Sequence, residues 1–129
     1  MPVYLLDTHV FIWLDSEPDK LPKRIMDIIN DPLNMLWISN VSLWEMQIKR
    51  QLGKLRMSIS ISEMVESQLK TNHLQLLEIK TQHILNLENL PDHHKDPFDR
   101  MLISQALSEK MPLISRDPLI RKYPLEVIW

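Results

Sequence analysis

The fold is decided by one stretch near the N-terminus, Val3-Tyr4-Leu5-Leu6-Asp7-Thr8-His9. Four residues, three of them strongly apolar, lead directly into a carboxylate. An apolar run without alternation is typical of a strand that is buried on both faces of a parallel sheet. Ligands of open α/β sheets bind just beyond the carboxyl ends of the strands. Asp7 is therefore either a candidate site residue or an ordinary helix N-cap.

The composition indicates a single globular domain that spans residues 1–129. Hydrophobic residues make up 44% of the chain and charged residues 25%, as in ordinary domains with one core. No apolar run is long enough to cross a bilayer and no secretory signal is present, so we expect a cytoplasmic protein without membrane contact. Cysteine is absent, which excludes disulfides, thiolate catalysis and cysteine-ligated metals.

The glycine count and the net charge restrict the kinds of ligand further. Gly53 is the only glycine, which excludes the GxGxxG fingerprint and the P-loop. The formal net charge is −2, whereas proteins that hold nucleic acid by bulk electrostatics are usually basic. A nucleic-acid substrate would therefore need local basic residues or a bound cation.

Apolar runs and cap residues predict strands alternating with helices, and thus an α/β domain. Strands are predicted at 3–6, 35–38, 74–77, 112–114 and 127–128. Helices are predicted at 10–14, 20–30, 41–52, 62–71, 80–90 and 97–109, with Ser62 as the cap of the fourth helix and Asp96, followed by Pro97, as the cap of the last.

The third predicted helix carries an apolar stripe at helical spacing, formed by Val41, Trp44, Ile48 and Leu52. Glu45 borders this stripe, so we expect it to avoid solvent. Lys49 lies one turn later and can pair with Glu45. Gly53 fits the C′ position that ends the helix.

Four carboxylates are predicted to meet at one edge of the sheet. Asp7 and Asp117 each follow a strand, whereas Glu45 and Asp99 lie near helix starts, and strand C-termini share an edge with the helix N-termini that follow them. Clustered like charges raise each other's pKa until a proton or a cation relieves them. With oxygen ligands alone, the preferred ions are Mg²⁺ and Mn²⁺, which can promote phosphodiester hydrolysis as a pair.

Each acid also has a purely structural alternative. Asp99 can serve a capping box, Asp117 a turn with Pro118, and Glu45 a salt bridge with Lys49. We interpret the adjacent His93-His94 pair as solvated loop residues. We assign to the core, and not to base stacking, the four tryptophans, Trp13, Trp37, Trp44 and Trp129.

Four motifs occur in a recognisable order. They are Leu5-Leu6-Asp7-Thr8-His9, Ser42-Leu43-Trp44-Glu45 followed by Lys49 and Gly53-Lys54-Leu55, His94-Lys95-Asp96-Pro97-Phe98-Asp99-Arg100-Met101-Leu102, and Leu113-Ile114-Ser115-Arg116-Asp117. Over essentially its whole length, the chain resembles PIN-domain ribonucleases, close to the VapC toxins of bacterial type II toxin–antitoxin pairs.

The resemblance implies a three-layer α/β/α sandwich around a central, mostly parallel sheet and a Mg²⁺-dependent endoribonuclease. It places the metal-binding and catalytic acids at Asp7, Glu45, Asp99 and Asp117, and metal-site hydroxyls at Thr8 and Ser115. Asp96 also lies near the third acid, but Asp99 leads the matching helix. The resemblance also implies a homodimer and a small cognate antitoxin.

The leading hypothesis is hydrolysis of RNA by this acid cluster. Candidate phosphate contacts are Lys49, Lys54, Arg56, Arg100 and Arg116. One alternative is a structure-specific DNA nuclease of the flap-nuclease type, although the short chain leaves no elements to clamp a flap. The other is a non-catalytic binding or phospho-receiver domain with an acidic pocket, which is disfavoured because the second strand does not end in an acid.

Overall fold

A parallel sheet forms the middle layer of the structure, a computed structural model that describes residues 2–129. Within this range the sheet has five strands: β1 (Val3–Leu6), β2 (Met35–Ser39), β3 (Gln75–Leu77), β4 (Leu113–Ile114) and β5 (Val127–Ile128). Their order is β3-β2-β1-β4-β5, and every neighbouring pair is parallel. The predicted sheet is confirmed, including the short edge strand β5.

Helices pack on both faces of this sheet. They are α1 (Thr8–Ser16), α2 (Lys23–Asn30), α3 (Asn40–Gln51), α4 (Ile61–Thr71), α5 (Thr81–Leu85) and α6 (Pro97–Glu109). No helix within residues 2–129 is long and apolar enough to cross a membrane.

The two core clusters show why three layers form. Successive strand residues point to opposite faces, and the adjacent Leu5 and Leu6 lie in different clusters. Leu6 packs with residues of α1, α2 and α4, whereas Leu5 packs with residues of α6. The α/β/α sandwich that the resemblance implied is therefore confirmed.

The strand order reverses at β1, which lies between β2 and β4. In open α/β sheets such a reversal opens a crevice beyond the carboxyl ends of the strands. Here the crevice lies between Asp7, which follows β1, and Ser115, which follows β4. The backbone N–H of Asp7 donates to Ile114 O over 3.0 Å, which ties the two strand ends together.

The apolar stripe predicted for α3 is only partly correct. Val41 is buried, but Trp44 is 59% exposed and Leu52 is also exposed. The inward face of α3 is instead formed by Val41, Ser42, Glu45 and Met46, because the start of the helix abuts the strand ends and buries polar groups there. The assignment of Trp44 to the core was therefore wrong.

Helices α1 to α5 differ from their predicted boundaries by one residue or more, and α1 extends two residues further at each end. Helix α4 begins at Ile61 and not at Ser62, because Ser60 accepts from the Glu63 N–H at 3.1 Å and the Glu63 carboxylate accepts in return from the Ser60 N–H. This capping box satisfies two free donors. The helix predicted at 80–90 stops at Leu85 and continues as a 3₁₀ turn, Asn86–Asn89. Helix α2 begins at Lys23, after Pro22.

Candidate active site

Asp7 lies at the junction of β1 and α1, where its backbone is extended but its side chain makes no capping bond. It is 5% exposed. Ser115 Oγ donates to Asp7 Oδ2 over 2.6 Å. The other oxygen, Oδ1, is buried and has no hydrogen-bond partner within residues 2–129. The alternative that Asp7 caps α1 is therefore not what the structure shows.

Burial raises the pKa of Asp7 above its ordinary value. The hydrogen bond from Ser115 and the nearby His9 act in the opposite direction, whereas the charge of Glu45 adds to the rise. A carboxylate with one unpartnered buried oxygen and a like charge nearby is unfavourable unless a proton or a cation approaches it.

Glu45 lies on the inward face of α3 and is 3% exposed, as predicted. Thr8 Oγ1 is 2.9 Å from Glu45 Oε1 and 2.8 Å from Ser42 Oγ. Lys49 Nζ donates to Glu45 Oε2 over 2.6 Å, which confirms the predicted pair. Burial tends to lower the pKa of Lys49, but the hydrogen bond and charge of Glu45 outweigh it and leave this pKa raised.

The two acids at the start of α6 have different roles. Asp96 Oδ1 accepts from the backbone N–H groups of Phe98 at 2.9 Å and Asp99 at 3.0 Å, so Asp96 is the predicted cap. Asp99 is therefore not needed for capping. Burial and the charges of Asp7 and Asp96 raise the pKa of Asp99 to about 7, although His94 partly opposes this rise.

Asp117 lies in a turn that follows β4. Its Oδ1 accepts from the Leu119 N–H at 2.8 Å, and its own N–H donates to Ser115 Oγ over 3.1 Å. The structural alternative, in which Asp117 stabilises a turn, is thus confirmed. Its second oxygen, Oδ2, nevertheless lies 2.8 Å from His94 Nε2, so the same carboxylate also faces the site.

His94 is a site residue that sequence reasoning missed. It is 8% exposed, and its Nε2 lies 2.8 Å from Asp117 Oδ2 and 3.1 Å from Asp99 Oδ2. His94, Asp99 and Asp117 could together hold a metal, since one ligand atom of each lies within 4.8 Å of the others. The solvated-loop interpretation was wrong for His94, whereas His93 is exposed. The available signal was position, because His94 lies in the motif that leads into α6.

A cavity of about 250 Å³ opens among these groups. Its walls include the carboxylates of Asp7, Asp99 and Asp117. Trp13 and Arg116 lie on the same walls, with the guanidinium carbon 4.8 Å from the ring centroid of Trp13. A cation–π contact thus holds one positive group beside three acids.

The predicted phosphate contacts lie in different environments. Lys54 and Arg56 are exposed in the loop after α3, and Arg116 is exposed at the cavity. Lys49 is engaged with Glu45. Arg100 donates instead to the carbonyl oxygens of Leu90, Pro91 and His94.

The fold and its acidic crevice at the strand reversal define an α/β protein of the PIN type. The chain matches the PIN domain model over residues 4–125 and belongs to that family. Membership of this family indicates a nuclease. No curated protein matches the chain significantly in sequence.

Several solved structures share this fold, among them a member of the VapBC family of toxin–antitoxin systems from Mycobacterium tuberculosis. A chain of VapBC2 from Rickettsia felis, bound to a DNA fragment from their promoter, is 16% identical with a TM-score of 0.72, covering 97% of this chain and 96% of that one. A chain of DNA-bound VapBC from Salmonella typhimurium is 17% identical and has a TM-score of 0.71; the match covers 98% of this chain and 97% of that one. A chain of VapBC-1 from nontypeable Haemophilus influenzae is 22% identical and has a TM-score of 0.62; the match covers 97% of this chain and 96% of that one. At these identities the likeness shows a shared fold.

Proposed function

We propose that this chain is a Mg²⁺-dependent endoribonuclease, in which Mn²⁺ can replace Mg²⁺. The observation that carries the proposal is the buried Asp7 Oδ1, which has no partner in the described residues 2–129 and lies on a cavity with Asp99 and Asp117. A buried carboxylate oxygen needs a hydrogen-bond donor or a cation. Since the neighbouring side chains are also carboxylates, a cation fits this place.

The donor set suits a hard divalent ion. Carboxylate oxygens are the ligands that Mg²⁺ and Mn²⁺ prefer, and the residues that would hold the ion are Asp7, Glu45, Asp99 and Asp117. Burial and neighbouring like charges raise the pKa values of Asp7 and Asp99, and a cation at this place would favour the ionised carboxylates. When bound, the ion would supply Lewis-acid activation of the phosphodiester.

The protein's own groups hold these acids in place. Ser115 orients Asp7 through Oδ2, which leaves Oδ1 for the ligand. Thr8 and Lys49 fix the two oxygens of Glu45. We assign Asp117 either to a second ion or to orienting the attacking water.

Arg116 is the basic residue best placed to contact the phosphate backbone. It lines the cavity and makes none of the ion pairs found in residues 2–129. Trp13 holds its guanidinium in position. Lys54 and Arg56 can extend this contact along the strand, and Lys49 can add to it beside Glu45. Arg100 donates to three backbone carbonyl oxygens, so its guanidinium is less available to a phosphate group.

We further propose that the chain is the toxin of a type II pair, acts in the cytoplasm, forms a homodimer and binds a cognate antitoxin. The similar structures are of VapBC proteins, which supports an antitoxin partner. The chain also has an exposed apolar surface between α3 and α4 that suits a protein partner, lined by Leu43, Trp44, Ile61, Val65 and Leu69. Co-purification with the product of a short neighbouring reading frame would test this pairing, and sedimentation would test the dimer.

The nuclease proposal is tested with matched single-stranded RNA and DNA oligonucleotides and with a DNA flap substrate. We expect internal cleavage of RNA with Mg²⁺, loss of cleavage with EDTA, and loss of cleavage in Asp7→Asn. Preferential cleavage of DNA flaps would favour the flap-nuclease alternative. Absence of cleavage together with absence of metal binding would favour a binding domain.

A further inference from the structure

Side chains of Arg100 and Tyr123 hold the loop before α6 by hydrogen bonds to its backbone. The Arg100 guanidinium donates to three of its carbonyl oxygens, those of Pro91 at 2.9 Å and of His94 and Leu90 at 3.2 Å each. The buried Tyr123 accepts from the His94 N–H at 2.8 Å and donates to Pro91 O over 2.7 Å. The backbone of His94 is therefore fixed on both sides.

The His94 ring is fixed in one tautomer. The backbone N–H of Asp96 donates to His94 Nδ1 over 3.2 Å. A backbone N–H can only donate, so Nδ1 presents its lone pair and the proton of the neutral ring lies on Nε2. That proton is donated to Asp117 Oδ2, 2.8 Å away, and Asp99 Oδ2 lies 3.1 Å from the same nitrogen.

We infer that His94 is a positioning residue for the metal site, an inference that rests on the proposed function. Its Nε2–H donates to Asp117, and the same nitrogen contacts the carboxylate of Asp99, which lies on a different element. The ring therefore sets the direction in which each carboxylate faces the cavity. In the absence of a cation, the hydrogen bond to Asp117 and the contact with Asp99 keep the two carboxylates close together. Hydrogen bonds to the ligands of a metal site commonly change its affinity by about 10- to 100-fold.

The same geometry argues against His94 as a ligand. A histidine that binds metal through one nitrogen usually donates the N–H of its other nitrogen to an acceptor. Here the other nitrogen, Nδ1, meets the Asp96 N–H, which is a donor. Binding through Nε2 would place two donors face to face, so His94 is arranged to hold the ligands and not to join them.

Calorimetric titration of Mn²⁺ and of Mg²⁺ into folded protein tests the positioning role. We expect His94→Ala to weaken binding by about 10- to 100-fold. His94→Gln retains a side-chain N–H and should restore much of the affinity, and His73→Asn, at an exposed histidine just before β3, serves as the control. Equal affinity in His94→Ala and the wild type would overturn the inference, and so would tighter binding in His94→Ala, since His94 would then compete with the cation.

Two spectroscopic measurements separate this inference from the nuclease proposal. Nitrogen-15 NMR of the metal-free wild type should show His94 protonated at Nε2 and not at Nδ1; the opposite tautomer would overturn the inference even if the protein cleaves RNA. Pulsed EPR of bound Mn²⁺ should show no nitrogen coupling from His94. A coupling that disappears in His94→Gln would identify His94 as a ligand and contradict us. If no metal bound, the proposed function would fail, while the NMR result would still decide the tautomer.

Discussion

Ser115 Oγ donates a hydrogen bond to Asp7 Oδ2 over 2.6 Å, and this bond joins two residues that are 108 positions apart in the sequence. The bond crosses the point where the strand order reverses, between the ends of β1 and β4. It fixes the Asp7 carboxylate so that Oδ1 is the free oxygen. The geometry of the proposed metal site thus depends on a serine outside the acid cluster.

Ser115→Ala should weaken Mg²⁺ binding while the fold remains intact. A hydrogen bond to a charged group contributes about 1.5–3 kcal/mol, which corresponds to roughly a 10- to 100-fold loss of affinity. The pKa of Asp7 should rise further, because the Ser115 bond acts to lower it. The acidic limb of the pH–rate profile should then move to higher pH, and an unchanged limb would contradict this role. Ser104→Ala, which removes a buried hydroxyl bonded to the His83 carbonyl, is the control.

Metal-free stability should decrease as the pH rises through 7. In the folded protein the pKa of Asp99 is raised to about 7, so the native state holds a proton that the unfolded chain loses near pH 4. The stabilisation from this proton is complete below pH 4 and is lost as the pH rises through 7. Thermal unfolding in EDTA should show a higher Tm for Asp99→Asn than for wild type at pH 8, and Mg²⁺ should raise the wild-type Tm more at pH 8 than at pH 5. A Tm for Asp99→Asn below that of the wild type at pH 8 would contradict the assigned cause.

Sequence patterns predicted β1 and Asp7 because the signal is local, a buried strand that ends in an acid. They did not identify His94, because its partner Asp117 is 23 residues away in sequence and only the fold brings the two side chains together. They also misplaced Trp44, because α3 carries two overlapping stripes and periodicity does not say which faces inward. The buried set contains Glu45, so burial of the acid leaves Trp44 in solvent.

Arg116→Ala should weaken RNA binding by about tenfold and reduce the slope of log affinity against log salt by about one, since one phosphate contact is lost. Binding is measured in the Asp7→Asn background, which prevents cleavage. Arg24→Ala, an exposed arginine on α2, is the matched control. An unchanged salt slope for Arg116→Ala would exclude a phosphate contact at this position.

Gly53→Ala should destabilise the fold by about 1–2 kcal/mol. Gly53 has φ +73°, a left-handed conformation that ends α3 and that alanine adopts at about this cost. An added Cβ would have no atom within 4 Å, so backbone strain alone sets the effect. Urea unfolding measures it, with the exposed Gln51→Ala expected within about 0.5 kcal/mol of the wild type. A Gly53→Ala protein as stable as the wild type would show that this conformation is not needed.

In the proposed function, buried carboxylates around Asp7 hold a divalent cation. Calorimetric titration of Mg²⁺ into wild type, Asp7→Asn and the exposed control Asp19→Asn tests it most directly. We predict that the wild type and Asp19→Asn bind Mg²⁺ equally and that Asp7→Asn binds it roughly tenfold or more weakly. Without metal, Asp7→Asn should be at least as stable as the wild type, because the substitution removes a buried charge. Equal Mg²⁺ affinity in Asp7→Asn and the wild type would contradict the account.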